Sequence, residues 1–282
     1  MPLIFWLASG MFAVIAAVGS TWSPCGLSMI STITPLAEAG RARSYACTAG
    51  WFLLGALIGG AALGGTGAVV GALVDQVGLT VADRVAVGLV TVVVAMGFDA
   101  DLVSPRLPHN RRRVKLVWLD QFRGWVFGLG SGIQIGFGLT TYIMSAALYL
   151  VVVFGALCAS AEGALALGLV FGAGRGLAVL VGARVTSIER LDALLRRIEM
   201  QRGRARAAVV WVEAVGAAAL AMSTTRPLLA TSGVVAAAVV AWKISHSHRL
   251  IVLPRSNSEP ASPPLAASSP LRNRGIDRSP LS

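Results

Sequence analysis

The sequence predicts an all-α, polytopic helical membrane protein, and two observations carry this prediction. First, 55% of the 282 residues are hydrophobic and only 13% are charged, with a mean hydropathy of +0.73. Second, the charges fall in clusters between long apolar runs, so that stretches of roughly 20 residues contain one ionisable group or none, as a bilayer span requires. A soluble protein of this length would spread its charges along amphipathic periods.

The apolar runs predict seven membrane spans. We place them at about 5–36, 47–73, 82–103, 118–156, 162–183, 207–223 and 228–244. The expected organisation is a first three-helix half at 1–103, a second half at 118–223, an additional C-terminal span at 224–253 and a disordered tail at 254–282. The tail is rich in Ser, Pro and Arg, a composition that cannot build a packed core.

The loop charges predict the orientation in the membrane. One side receives Arg41 and Arg43, then Arg106, Arg111, Arg112, Arg113 and Lys115, then the basic run from Arg184 to Arg206; the other side receives Arg84 and Arg226. The positive-inside rule therefore predicts a multi-pass protein of the bacterial plasma membrane, with its N-terminus outside and its C-terminus in the cytoplasm. Contact with the lipid bilayer then accounts for the net charge of +11, and nucleic acid is not an expected partner.

The first span contains a polar segment that lipid alone would not accommodate. Residues 19–36 are rich in hydroxyl groups and contain Pro24 and Cys25. One helix from Leu3 to Leu36 would be about 50 Å long, which exceeds the roughly 30 Å hydrocarbon thickness. We therefore expect a kink or an unwound turn near Pro24. The polar groups should face the protein interior or a water-filled cavity.

The fourth span repeats features of the first. Gly130-Ser131 precedes Gly138-Leu139-Thr140 much as Gly19-Ser20 precedes Gly26-Leu27-Ser28. Each begins a group of three spans, so the two groups would have opposite orientations. Broken helices at matching positions of two inverted halves predict a substrate or reaction site near the membrane midplane. The alternative explanation is that small residues simply let helices pack closely.

Polar residues of the two broken spans are the candidates for a substrate pathway. They are Ser23, Ser28, Ser31, Thr32, Gln134, Thr140 and Thr141. Serine and threonine often bond back to their own helix, which is the alternative for each of them. Gln134 is the costliest of the set to bury in an apolar environment.

Charged residues within or beside the later spans suggest further interactions. We expect Arg175 and Glu213 to form an intramembrane ion pair, since a lone charge is expensive in lipid; its role is a static clamp between helices or a gating element. Asp99, at the end of the third span, can neutralise the basic loop that follows. The segment 188–206 has apolar residues at helical spacing and predicts either an amphipathic helix on the membrane surface or a charged connector helix.

One stretch resembles a known family. The run Trp22-Ser-Pro-Cys-Gly-Leu-Ser-Met-Ile-Ser-Thr-Ile-Thr-Pro-Leu, a basic loop and a glycine-rich second span resemble the cytochrome c biogenesis and thiol-disulfide interchange transmembrane family, which includes CcdA and the membrane domain of DsbD. The resemblance covers about residues 5–222. It implies that Cys25 is a redox thiol at a helix break made by Pro24. It also implies a thioredoxin-like or extracytoplasmic metalloprotein partner.

The chain departs from that family in its fourth span. The family has a second Pro-Cys there, whereas residues 132–141 contain neither proline nor cysteine. An intramembrane disulfide needs two thiols with Cα atoms within about 7 Å. Cys158 lies about 30 Å further along a helix, and Cys47 would need re-entrant geometry. The resemblance therefore leaves Cys25 without its expected partner.

Three functions remain open from the sequence. The first is thiol redox or maturation of an extracytoplasmic metalloprotein, with at most a thiol-disulfide oxidoreductase activity. The second is small-solute transport on the same inverted-repeat scaffold, and the third is an accessory assembly factor without chemistry of its own. Methylamine-utilisation membrane proteins resemble the same family and are associated with maturing a disulfide-rich dehydrogenase. The cysteines have no metal-ligand spacing, and we expect no cofactor and no metal.

Overall fold

The computed structural model describes residues 2–100, 102, 123–139 and 145–223. Its helices are α1 (Leu3–Gly19), α2 (Pro24–Thr32), α3 (Pro35–Gly40), α4 (Tyr45–Asp75), α5 (Val81–Asp99), α6 (Gly124–Phe137), α7 (Ala147–Leu157), α8 (Ala161–Leu177) and α9 (Ile188–Ser223), with 3₁₀ turns at Ser20–Trp22 and Ala178–Arg184. Thr140, Thr141, the loop 103–117, the span 228–244 and the tail 254–282 lie outside the described residues.

The all-α polytopic prediction is confirmed for the described part of the chain. Five of its helical segments are long and apolar enough to cross a membrane. They are Leu3–Trp22, Tyr45–Asp75, Val81–Asp99, Ala161–Arg184 and Ile188–Ser223. The predicted fourth span is divided into α6 and α7, of 14 and 11 residues.

The first span is interrupted at the predicted place. After α1 and its 3₁₀ turn, Ser23 is extended, with φ −71° and ψ 152°, and α2 begins at Pro24. Proline suits the first position of a helix because the N–H it lacks would have no partner there. The Ser23 Oγ accepts a hydrogen bond from the main-chain N–H of Gly26 at 3.1 Å and completes the N-cap.

The centre of the bundle is α4, which packs against α6 on one side and α8 on the other. Gly128 lies against Thr48 and Gly136 against Gly59, so α6 runs parallel to α4. Small residues line both interfaces, which brings the backbones into direct contact. The contact glycines are Gly55, Gly59, Gly60 and Gly64 of α4, Gly128, Gly132 and Gly136 of α6, and Gly168 and Gly172 of α8.

The helix α8 runs antiparallel to α4. A Cβ placed at Gly60 would lie 2.8 Å from the Cα of Gly172, and one placed at Gly64 would lie 2.8 Å from the Cα of Leu165. Neither glycine can therefore be enlarged without moving a backbone. We call α4, α6 and α8 the glycine-packed block.

The helix α1 packs against both α8 and α9. A Cβ at Gly174 of α8 would lie 2.7 Å from the Cβ of Ala17, and one at Gly19 would lie 2.9 Å from the Cγ2 of Val209 in α9. The apolar core around α1 includes Phe12, whose ring centroid lies 5.1 Å from that of Phe154. These contacts place α8 and α9 on different faces of α1.

The segment 188–206 is not a separate surface helix. It forms one continuous 36-residue helix with the sixth span, about 54 Å long at 1.5 Å per residue. No proline interrupts this run, and the Ile198 carbonyl accepts a hydrogen bond from Trp22 Nε1 at 2.8 Å. The charged-connector alternative therefore describes it better.

Candidate functional site

The first candidate site is a small cavity beside the first turn of α2. Its volume is about 10 Å³, and we call it the Cys25 pocket because Cys25 lies in the first turn of α2, next to the lining residue Gly26. It lies where α2 meets α4, α6 and α8 and the following 3₁₀ turn. The lining residues are Ser20, Thr21, Gly26, Met29, Ile30, Phe52, Ile135, Arg175, Ala178 and Val179.

Glycine at position 26 allows α2 to fold back against the preceding turn. A Cβ at Gly26 would lie 2.6 Å from the carbonyl oxygen of Thr21 and 2.9 Å from that of Ser20. Real Cβ atoms do not approach backbone oxygens so closely. The break therefore depends on Gly26 as well as on Pro24, the helix-breaking residue that the sequence indicated.

Cys25 and Arg175 lie close to each other at this site. Cys25 is 2% exposed, and Arg175 is 5% exposed and within electrostatic range of the thiol. The Arg175 guanidinium carbon lies 5.6 Å from the centroid of the Phe171 ring, which is cation–π range. Its Nη2 atom has no hydrogen-bond partner among the residues that the structure describes. The pocket is thus lined by one buried cation, and the buried Cys25 thiol lies next to Gly26, which lines it.

The predicted pathway residues have different roles in the described structure. Ser23 is fully buried and caps α2, while the main-chain carbonyl of Ser28 accepts a hydrogen bond from Ser31 Oγ at 2.9 Å. Gln134 is half-buried on α6, and its main-chain carbonyl accepts a hydrogen bond from the Gly138 N–H at 3.2 Å. The polar lining of the Cys25 pocket comes from Ser20, Thr21 and Arg175.

The second candidate site surrounds Asp99, at the end of α5. The main-chain N–H of Ala146 donates to Asp99 Oδ1 at 2.8 Å, and the Ser145 hydroxyl donates to Oδ2. Arg206 donates to the main-chain carbonyl of Asp99 through Nε at 3.1 Å and Nη2 at 2.9 Å. The Glu213 carboxyl lies beside that of Asp99. We call Asp99, Ser145, Arg206 and Glu213 the Asp99 cluster.

A cavity of about 230 Å³ adjoins the Asp99 cluster. Arginines of α9, an aromatic ring and the Asp99 carboxylate give it a mixed polar and apolar wall. Its lining residues are Gly19, Trp22, Asp99, Ser145, Arg202, Ala205, Arg206 and Val209. This cavity is large enough for a small polar molecule or several waters.

The expected ion pair between Arg175 and Glu213 does not form in the described structure. Among the described residues, no N–H donor reaches either Glu213 carboxylate oxygen, and Arg175 Nη2 has no acceptor. The two residues lie at similar heights along α1, since their neighbours Gly174 and Val209 contact Ala17 and Gly19. However, α8 and α9, which carry these two residues, pack on different faces of α1. Adjacency of the two spans in the sequence therefore did not bring the side chains together.

The sequence did not reveal how Asp99 and Glu38 are used. Asp99 was expected to neutralise the basic loop that follows, whose residues lie outside the described part of the chain; it also accepts the N–H of Ala146, which immediately precedes α7 and lies 47 residues further along. Glu38 is 1% exposed, pairs with Arg41 at 3.0 Å and accepts a hydrogen bond from Thr48 Oγ1 at 2.7 Å. In the sequence, each was an acidic residue close to a basic loop, and no further signal marked it.

The three cysteines are all free. Cys25 and Cys158 are buried, and Cys47 is exposed near the start of α4. Within the described residues, no group of three or more His, Cys, Asp or Glu side chains could hold a metal ion. Near the Cys25 pocket, the described nucleophile is the Cys25 thiol, and the guanidinium of Arg175 lies within electrostatic range of it.

The fold and the two sites define a class: a polytopic all-α membrane protein with two interrupted spans. The chain belongs to the methylamine utilization protein MauF family. It is 30% identical over 229 residues to MauF of Paracoccus denitrificans, covering 78% of this chain and 80% of that protein. It is 31% identical over 221 residues to MauF of Paracoccus versutus, covering 75% and 77%.

A third relative is MauF of Methylophilus methylotrophus, which is 31% identical over 196 residues, covering 67% of this chain and 68% of that protein. No family model matches the chain, and no solved structure matches it. The resemblance to the thiol-disulfide interchange family stays a prediction.

Proposed function

We propose that this chain is a membrane accessory protein of methylamine utilisation that supports the maturation of an extracytoplasmic protein through disulfide exchange at Cys25. The observation that carries the proposal is the position of Cys25, in the first turn of a half-helix and close to Arg175. The family relatives, which are named for methylamine utilisation, support the biological setting.

A lone thiol is sufficient for this chemistry. The Cys25 thiolate attacks one sulfur of a partner disulfide, the partner S–S bond breaks, and its other sulfur leaves as a thiolate. A thiol of the same partner then attacks the partner sulfur of the mixed disulfide and releases Cys25. The partner's disulfide has then changed position without a net transfer of electrons, so no second membrane cysteine is required.

The helix α2 is the element that would give a partner access to Cys25. It has nine residues and lies between two irregular positions, Ser23 and Ile33. Its main neighbours outside its own turn are the residues of the Ala178–Arg184 turn. Displacement of this short element would expose the buried thiol while α1 and α4 stay in place. Arg175 would then act as a positioning residue that holds an anionic sulfur near α2.

The proposal is tested by trapping the mixed disulfide. Membranes from cells grown on methylamine are acid-quenched and alkylated, and adducts are resolved without reductant. We expect the wild-type protein and the Cys47→Ser variant to give the same reducible adduct, and Cys25→Ser to give none. Cys158→Ser is a second control, because that thiol is also buried. An adduct that persists in Cys25→Ser, or no adduct in any variant, would overturn the proposal.

A second candidate function is small-solute transport, and the cavity of about 230 Å³ beside the interrupted fourth span favours it. Purified protein in liposomes separates the two. Solute flux that is lost in Arg206→Gln and kept in Cys25→Ser would support transport. Flux indistinguishable from empty liposomes, together with a Cys25-dependent adduct, would support maturation.

A further inference from the structure

The Glu213 carboxyl is a buried charged group of the bundle without a described basic partner. The residue is fully buried, and within the described residues its hydrogen-bonding neighbour is the Asp99 carboxyl, since no N–H donor reaches either oxygen. It lies on the face of α9 that also carries Val209 and Gly216, which meet Gly19 and Phe12 of α1. An ionised carboxylate without partners is strongly disfavoured in such a place.

The nearest polar group is a second acid. Asp99 lies beside Glu213 and is 7% exposed. Two adjacent carboxyl groups in a buried site disfavour simultaneous ionisation. Asp99 accepts hydrogen bonds from Ala146 N–H and the Ser145 hydroxyl, and these bonds stabilise its ionised form. The proton therefore resides mainly on Glu213.

The charged groups that face the pair come from α9. Arg206 donates to the main-chain carbonyl of Asp99 through Nε and Nη2 and lies within electrostatic range of the Asp99 carboxyl. Arg202 lines the adjoining cavity and pairs with Glu199 at 3.3 Å. α1 contributes Gly19, the turn after it contributes Trp22, and the segment just before α7 contributes the uncharged residues Ser145 and Ala146. No described cation therefore replaces the proton at Glu213.

We propose that Asp99 and Glu213 form a proton-binding pair that holds one proton and exchanges it with water through the adjoining cavity. Asp99 lines that cavity and Glu213 does not, so Asp99 is the group through which the proton passes. Because the Asp99 oxygens also cap α7, a proton on Asp99 weakens the cap. Proton transfer is thereby linked to the start of α7. This site is independent of Cys25 and of the proposed disulfide exchange.

Infrared spectroscopy of the full chain in liposomes tests the proposal. A protonated carboxyl has a C=O stretching band that is absent from carboxylates and shifts in D₂O. We expect this band at neutral pH and expect it to decrease as the pH is raised. It should be lost in Glu213→Gln, which mimics the neutral acid and retains its shape, and shifted in Asp99→Asn. The exposed Glu162 supplies the matched control, Glu162→Gln.

The outcomes are decisive for the pair. The proposal is wrong if the wild-type protein lacks the band, if Glu213→Gln retains it, or if the band neither shifts in D₂O nor changes with pH while the protein stays folded. If Glu213→Gln does not fold, Asp99→Asn provides the test: a shifted band supports the pair, and an unchanged band contradicts it. Cys25→Ser should leave the band unchanged, so failure of this proposal is distinguishable from failure of the disulfide-exchange proposal.

Discussion

The interruptions of the first and the fourth spans differ in where their polar groups find partners. At the first, Ser23 caps the N–H of Gly26, three residues away. At the fourth, Ser145 Oγ accepts from the Ala147 N–H at 3.1 Å, but the Ser145 hydroxyl and the Ala146 N–H both donate to Asp99, which comes from α5 and lies 47 residues before Ala146. One break is therefore completed within its own segment, and the other depends on a different helix.

This difference determines how each break responds to change. A self-contained turn can move as a unit and keep its hydrogen bonds. A cap supplied from another helix is lost when the two elements separate, and it responds to the protonation of the capping acid. The first break is thus suited to exposing a buried side chain, and the fourth is suited to linking α5, α7 and α9.

The largest expected effect is at the distant cap. Asp99→Ala leaves the Ala146 N–H and the Ser145 hydroxyl without their acceptor, and we expect a loss of about 2–4 kcal/mol in the free energy of unfolding. Denaturant unfolding in micelles measures it. The control is Asp83→Ala, which removes an exposed capping box at the start of α5 and should cost about 1 kcal/mol. Equal losses in the two variants would contradict the distant cap.

The second-largest effect is expected at the glycines of the two breaks, where replacing Gly26 should destabilise the protein more than replacing Gly138. Gly26→Ala places a Cβ 2.6 Å from a backbone oxygen and should cost about 2–3 kcal/mol. Gly138→Ala meets a positive φ of 72° and side-chain atoms of Leu148 and Phe171 at 3.0–3.2 Å, and should cost about 1–2 kcal/mol. Thermal midpoints in detergent rank them. Gly50→Ala, in open space, should not destabilise, and a reversed order would argue against the tight first turn.

Removing the local cap should have a smaller effect. Ser23→Ala deletes the acceptor for the Gly26 N–H, and we expect a loss of about 1 kcal/mol in the free energy of unfolding. Ser31→Ala is the matched control, since that hydroxyl only bonds back to its own helix, and it should stay within about 0.5 kcal/mol. If the two serines are equivalent, the break is not held by its own cap.

The smallest effect is the coupling between Arg175 and Glu213. Because α1 contacts the two residues' helices on different faces, a double-mutant cycle with Arg175→Gln and Glu213→Gln should give a coupling below about 0.5 kcal/mol. The Glu38–Arg41 pair, 3.0 Å apart, is the reference and should exceed that value. Comparable coupling in both cycles would restore the ion pair that the sequence suggested.

The sequence predicted features that depend on nearby residues. Pro24 and the excess length of the first apolar run predicted a break near Pro24, and it lies there. The apolar runs likewise predicted α4 and α5 to within a few residues at most boundaries. These features need no knowledge of how the helices pack.

The Asp99 cluster could not be derived in the same way, because its partners come from α5, α7 and α9. Nothing near Asp99 in the sequence indicates that it faces Ala146. The same limit explains the expected pairing of Arg175 with Glu213, since adjacency in sequence says nothing about which side of α1 each helix occupies. Pathway residues Thr140 and Thr141 lie outside the described part of the chain.

The glycine-packed block has a mechanical consequence. Side chains usually separate the backbones of neighbouring helices, and small rotamer changes let such helices slide. In this block, the backbone of α4 instead contacts the backbones of α6 and α8 directly. Sliding any of the three would drive a main-chain carbonyl into a facing Cα. The block therefore serves as a fixed frame, and within the described part of the chain any opening toward either side of the membrane has to come from helices outside the block, such as α1, α2, α7 and α9, moving against it.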